Sequence, residues 1–285
     1  MKSFLDEVAK EIINSGRSFK ELKIIVPSKR AILFLKNALS YQIVRPAFAP
    51  EIVSIETFVE ELSGLKKSLP VELIYMFYSV YKDKTTEKNR DTFDQFLGWS
   101  KMVLSDFNQM DAYLVDQKTF FDFQFSLGEL QQWAMREDAN PMIKNQLEFW
   151  RQMPELYSGL KELLWLNQQG TSGMLFREAV NNLEHYLQNN TNHHYFVGFN
   201  ALNEAEERII QEFLTAKQGN VIWDIDRYFY EDQVHSAGKF IRKYYRDWKI
   251  LMGSEVSLKE NFTQPKVIEM IGVSKKITKA KYAAH

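Results

Sequence analysis

Leu22-Lys23-Ile24-Ile25-Val26-Pro27-Ser28-Lys29-Arg30-Ala31-Ile32-Leu33-Phe34-Leu35 is the stretch on which the fold turns. Leu22–Val26 is a short, nearly continuous apolar run stopped by a proline, the pattern of a strand buried on both faces. Ser28 stands at an N-cap position, before Ala31-Ile32-Leu33-Phe34-Leu35 and Ala38-Leu39 at helical spacing. A buried strand running straight into an amphipathic helix is the repeating unit of a parallel α/β sheet.

The same alternation extends in both directions. Upstream, Phe4, Leu5, Val8, Ala9, Ile12 and Ile13 predict a helix that ends by Gly16. Downstream, Ile52–Ile55 predicts a second strand and Glu56–Leu62 a short helix. From about Leu69 to Gln188 strand-like runs vanish and helical stripes take over, such as Leu73, Ile74, Phe77, Tyr78 and Tyr81. Strand patterns return at His194–Phe199, Asn220–Ile225 and Lys266–Val273. Helices are expected at Glu204–Leu214, His235–Trp248 and Thr278–Ala284. The expected fold is therefore α/β, a mostly parallel sheet with a large all-helical insertion. The chain divides into residues 1–66 with 190–252 around the sheet, 67–189 as the insertion, and 253–285 as a linker opening a further strand–helix unit.

Composition narrows the functional classes. There is no cysteine, which excludes disulfide scaffolds, Cys-type zinc sites, iron–sulfur clusters and a Cys nucleophile. Lys plus Arg (36) balances Asp plus Glu (37), so a globally basic nucleic-acid binder is excluded while a local basic stripe is not. No apolar run approaches a membrane span, and the acids Asp6 and Glu7 stand where a secretory signal needs basic and then apolar residues. A soluble, cytoplasmic chain with no membrane partner is expected. Neither GxxxxGK[ST] nor GxGxxG occurs, and 12 glycines are too few for a phosphate-cradling loop, so no nucleotide cofactor and no metal is expected.

Three segments carry candidate chemistry, each with two readings. Asp224 and Asp226 form a D-x-D at the carboxyl end of an apolar strand, where open sheets bind ligands. The pair suits either an oxygen-ligated divalent metal or a turn and helix cap. Lys239, Arg242, Lys243 and Arg246 make one helical stripe beside Phe240, Tyr244 and Trp248. The stripe suits either a polyanion or a solvated face. Ser28, Lys29 and Arg30 open a helix after a strand, as either a phosphate seat or a plain cap. His193-His194, adjacent and so on opposite sides of a strand, is poor ligand geometry and is expected to be a surface pair.

The order of these segments resembles that of superfamily 1 helicases. IIVPSKRAILFLKNAL (Ile24–Leu39) is similar to the strand–helix motif that follows their phosphate loop, usually ending near T-N-K-A-A. YFVGFNALNEAEERIIQEFL (Tyr195–Leu214) resembles the Walker B strand and its helix, and VIWDIDRYFY (Val221–Tyr230) resembles the next motif, G-D-x-x-Q-x-I-Y. KVIEMIGVSKKITKAKYAAH (Lys266–His285) resembles the opening of a second RecA-like domain. More closely, PSKRAILFL, DTFDQFLGWSKMVLSDFNQMDAYL, FVGFNALNEAEERII and WDIDRYFYEDQVHSAGKFIR resemble the N-terminal region of AddB/RexB-like proteins of the PD-(D/E)xK nuclease superfamily. These join a degenerate helicase-like half to a C-terminal nuclease.

The resemblance implies a RecA-like (P-loop NTPase-like) domain made of residues 1–66 and 190–252, a helical insertion at 67–189, and a truncated second RecA-like domain beginning within 253–285. It implies a part in double-strand-break repair, guiding single-stranded DNA beside an AddA-like helicase–nuclease motor subunit. Ser28, Lys29, Arg30, Arg227 and Tyr228 would lie along the DNA, with Lys239, Arg242, Lys243 and Arg246 contributing there or docking the partner. The departures imply a silent ATP site. The P-loop is missing, Gly198-Phe199 replaces the Walker B carboxylates, and the sensing glutamine falls on Arg227 while Asp224 and Asp226 persist. The nuclease ligands are expected beyond His285. A D-x-D metal-dependent glycosyltransferase and a protein-interaction scaffold are the alternative readings.

Overall fold

A computed structural model describes residues 3–43, 46–134 and 141–283. Helix α1 (Phe4–Asn14) begins in a capping box between Ser3 and Asp6. It leads to β1 (Leu22–Val26), all five of whose residues are buried. Helix α2 (Lys29–Gln42), β2 (Glu51–Ser54) and α3 (Ile55–Ser63) follow. After the helical stretch come β5 (His193–Val197), α9 (Glu204–Thr215) and β6 (Gly219–Ile222). The four strands form one parallel sheet in the order β2-β1-β5-β6, with Ile24 of β1 paired between Ile52 and Tyr195.

Strand alternation sorts the core into two layers. Ile24, Val26, Tyr195 and Val197 face α1 and α2, meeting Val8, Ile12, Leu35 and Leu39. Ile25 and Phe196 face the other way, onto Phe58 of α3 and Ile209 and Phe213 of α9. Cover on both faces explains why β1 reads as a continuous apolar run rather than an alternating one.

Between α3 and β5 lie α4 (Pro70–Lys84), α5 (Phe93–Ala112), α6 (Gln117–Ala134), α7 (Pro141–Leu166) and α8 (Ser172–Asn189). Their aromatic heart is Phe77, Phe96, Trp99, Phe107 and Tyr157 in edge-to-face and tilted contacts. It is continuous with the core layer beneath α3. Two-residue strands β3 (Lys66–Lys67) and β4 (Gln169–Gly170) pair in parallel and tie the start of this stretch to its end, a link with no local sequence signal. Near its centre Asp111 is 3% exposed. It accepts from Tyr157 Oη and Arg177 Nε, each at 2.6 Å.

The remaining elements are α10 (Arg227–Glu231), α11 (Lys239–Asp247) and α12 (Lys276–Ala283). Among the described residues no helix is long and apolar enough to cross a membrane. Ala284 and His285 lie outside the described residues.

Two expectations are corrected. Lys266–Val273 does not form a strand. It is irregular, and Val267, Ile268 and Met270 are almost wholly exposed. An apolar run becomes a strand only beside a neighbour and under cover. Beyond β6 the chain makes one isolated parallel bridge at Lys259, whose N–H donates to Ile225 O and whose carbonyl accepts from Arg227 N. The second correction is His193-His194, which is buried rather than a surface pair. Strand β5 is interior to the sheet and covered on both faces, so residues pointing to opposite sides both go inside.

His194 lies under the Phe213 ring, 4.4 Å between centroids, with Nε2 3.2 Å from Tyr186 Oη. Burial first, and then the nearby Lys23 ammonium, push it from 6.5 down to about 4. Below pH 6.5 the unfolded chain takes up a proton that the folded chain refuses until about pH 4. The His194 contribution to stability is therefore fully present above pH 6.5, falls by about 3 kcal/mol down to pH 4, and levels off below. Urea unfolding across that window measures it, and the His194-dependent part of the slope vanishes in His194→Leu.

Candidate functional site

From β1 the chain steps outward to β2 and later returns to lay β5 on the other side of β1. The switch point is thus the carboxyl ends of β1 and β5, where parallel sheets open a crevice. A cleft of about 590 Å³ lies there, lined among others by Phe4, Ser28, Phe34, Tyr41, Gly198 and Asp224.

On the β1 side Ser28 caps α2, its Oγ accepting from Ala31 N at 3.3 Å. Lys29 and Arg30 are exposed on the first turn, which contains no acid. The Arg30 guanidinium lies 5.6 Å from the Phe34 ring. Among the described residues neither cation has an acidic partner. Two unanswered cations at the positive end of a helix oppose its macrodipole, at about 0.3–1 kcal/mol each. An anion seated on this turn removes that cost.

On the β5 side Gly198 has φ +74°, and its N–H donates to Ile222 O at 2.9 Å. A Cβ there would stand 3.3 Å from the Phe4 ring. Glycine is thus favoured by the left-handed backbone, and the phenyl group that α1 inserts leaves a Cβ only a tight fit. Phe199 turns inward and is buried. Neither position offers a carboxylate to the cleft.

The two aspartates differ sharply. Asp224 opens onto the cleft; desolvation pushes its carboxyl up, with Lys259 pulling the other way. Asp226 accepts from Tyr228 N at 3.0 Å with one oxygen, and from Asn261 N at 2.7 Å and Phe262 N at 2.9 Å with the other. Desolvation alone would raise it, but the backbone donors of Phe262, Tyr228 and Asn261 outweigh that and hold it below the usual range. Asp226 is therefore a helix cap and a mooring for the chain at 261–262. Among the described residues no group of three or more His, Asp or Glu side chains is arranged to hold a metal.

The remaining basic positions are largely answered from within. Arg227 pairs with Glu260 at 2.7 Å and Glu231 at 3.1 Å. Arg242 donates to the carbonyls of Phe229, Tyr230, Gln233 and His235, fastening the α10 turn to α11. Lys243 pairs with Glu207 at 2.7 Å and Arg246 with Asp247 at 2.6 Å. Lys239 is exposed, 5.9 Å from the Phe240 ring. Two of the stripe's four cations are thus paired with acids and a third with carbonyls, while Ile241, Tyr244 and Trp248 fill the opposite face.

Tyr228 is half exposed, and its ring lies 4.6 Å from Phe262, over which Lys266 sits at 3.8 Å. Phe262 and Lys266 were not singled out from sequence. Phe262 falls in an aperiodic stretch and Lys266 opens the expected strand; the bonds from Asn261 N and Phe262 N to Asp226 hold this segment at the edge. Neither a family model nor a curated protein sequence matches the chain.

Proposed function

We propose that this chain is a catalytically silent, RecA-like part of a DNA-repair helicase–nuclease subunit, holding or guiding single-stranded DNA beside an AddA-like motor. The observation that carries this reading is the pair Lys29 and Arg30. They are unpaired cations on the first turn of α2, at the switch point of a parallel sheet. Phosphate groups answer both the charges and the helix end.

Two further features support it. The segments that resemble successive helicase motifs are β1, β5 and β6, three neighbouring parallel strands whose carboxyl ends share one edge. The positions that would ligate magnesium are Gly198 and Phe199, and Phe4 fills the space beside the first. A subunit lacking those groups holds a strand that another subunit drives. The D-x-D glycosyltransferase reading is weakened because Asp226 accepts three backbone N–H groups. A scaffold without DNA contact leaves Lys29 and Arg30 unexplained.

Fluorescence anisotropy of a labelled single-stranded oligonucleotide, at about 50 and about 200 mM salt, tests the reading. Binding is expected to weaken steeply with salt. Changing Lys29 and Arg30 to Ala makes the log–log salt slope shallower by about 1.4, two phosphate contacts' worth. No binding at the lower salt overturns the DNA reading. ATP hydrolysis by the pure chain, abolished by Asp224→Asn, overturns its silence.

A further inference from the structure

Across the body cations and acids are interspersed, but one segment concentrates cations almost without acids. From Lys266 to Ala283 the chain carries five lysines, Lys266, Lys275, Lys276, Lys279 and Lys281, against the single acid Glu269. The whole chain has a net charge of -1, so this excess leaves the body net acidic. The arm's lysines are exposed, and none lies within ion-pair distance of an acid among the described residues, although Lys266 acts on Asp226 from further away. Lys266 alone is engaged, donating to Phe262 O and covering that residue's ring.

The arrangement is costly without an anion. Helix α12 has eight residues, too short to be stable alone in water. Lys275 and Lys279 stand at i,i+4 and Lys276 and Lys279 at i,i+3, so like charges repel along one face. Lys275 and Lys276 also stand at the positive end of the helix. Ser274-Lys275-Lys276 repeats the order of Ser28-Lys29-Arg30.

The arm is also moored in a useful place. Asp226, at the carboxyl edge of the sheet, accepts from Asn261 N and Phe262 N just before it. Exposed rings accompany the charges: Tyr228 (49%) and Phe262 (40%) at the mooring, and Tyr282 (55%) on α12. Cations flanked by exposed aromatics suit a strand whose phosphates meet the cations and whose unpaired bases meet the rings. We infer that the arm Lys266–Lys281, moored by Asp226, is a main polyphosphate-contacting element of this chain, gripping single-stranded nucleic acid through Lys275, Lys276, Lys279 and Lys281. This rests on the DNA reading above and adds to it a surface remote in sequence from Lys29 and Arg30.

The test uses the full chain and the same labelled oligonucleotide over a salt series. Changing Lys275, Lys276, Lys279 and Lys281 to Ala is expected to make the log–log salt slope shallower by about 3, at about 0.7 per contact. That equals about 50-fold less loss of affinity between about 50 and about 200 mM salt. The corresponding four-Arg variant keeps the wild-type slope. Neither variant shifts the urea midpoint, because these side chains contact nothing in the body. Wild-type binding with an unchanged slope in the Ala variant overturns the arm and leaves Lys29 and Arg30 standing. Absence of wild-type binding overturns both. Binding to vesicles of phosphatidylcholine and phosphatidylserine, without binding to the oligonucleotide, overturns the arm's assignment to nucleic acid.

Discussion

Arg177→Ala is expected to lower the unfolding free energy by about 3–5 kcal/mol, the usual cost of breaking one side of a buried ion pair. Asp111 and Arg177 have side chains only 4% and 16% exposed. Without the guanidinium the Asp111 carboxylate keeps only the Tyr157 hydroxyl, and desolvation together with Asp111 already drives that phenol's pKa upward. The loss extends beyond the pair. Arg177 also donates to Met110 O at 2.9 Å and Val115 O at 2.8 Å, clamping the turn after α5 in which Leu114 takes φ +53°. A non-glycine residue in the left-handed region persists only where its surroundings hold it. Arg177→Lys recovers only part of the stability, since one ammonium cannot serve a carboxylate and two carbonyls with the fixed fork of a guanidinium. The apolar double variant Asp111→Leu with Arg177→Met recovers more, because it leaves no buried charge unpaired. Urea unfolding of the four proteins measures these differences. A loss below about 1 kcal/mol in Arg177→Ala refutes the assignment, being the size of an exposed pair.

Gly173→Ala is expected to cost about 3 kcal/mol, at the top of the usual range for overpacking. Gly173 is the second residue of α8, where that helix crosses α5. A Cβ there would fall 1.9 Å from Asn108 O and 2.8 Å from Asn108 C. These are backbone atoms, so no rotamer change relieves the clash and the two helices must separate. Alanine is the better helix former, so local propensity predicts stabilisation and packing predicts the reverse. Asn108→Ala separates the two contributions at this crossing. It removes the 2.7 Å bond from Gly173 N to Asn108 Oδ1 without adding an atom, and is expected to cost about 1 kcal/mol. Differential scanning calorimetry of both variants checks the ordering. A Gly173→Ala protein as stable as wild type contradicts the close approach of α5 and α8.

Both effects lie in the helical stretch, far in sequence from the cleft, yet they bear on it. The core layer under the sheet runs from Ile25 and Phe58 through Phe77 to Leu160 without a break. Loosening the crossing of α5 and α8 therefore weakens the layer against which β1 and β5 are held. Variants at Lys29, Arg30 and the α12 lysines touch none of this packing. A binding defect there that leaves stability unchanged reads out the surface rather than the fold.

The helix starts and the buried strands were legible because their signals are local. Ser28 caps α2 at the expected position, and Leu22–Val26 is a strand over the expected residues, since proline, hydroxyl and apolar spacing act within a few residues. Lys266–Val273 has the same apolar signature and is no strand, because nothing lies beside it to pair with or above it to cover it. Its composition is a local property and its neighbours are not. Adjacent histidines read as a surface pair until β5 proved to be interior.

The charged residues divide in the same way. The stripe on α11 and the pair on α2 look alike in sequence, as cations at helical spacing. Their difference lies in partners distant along the chain: Glu207, 36 residues from Lys243, and the α10 carbonyls around Arg242. Nothing of the kind reaches Lys29, Arg30 or the lysines of α12. Sequence alone determined most of the helices, the buried strands of the main sheet, the Ser28 cap and the α/β class, because backbone geometry and apolar period are set by near neighbours. Tertiary structure decided the strand order, the burial of His193 and His194, the role of Asp226 as a mooring and which cations remain free. Each of these depends on contacts between residues that only the folded chain brings together.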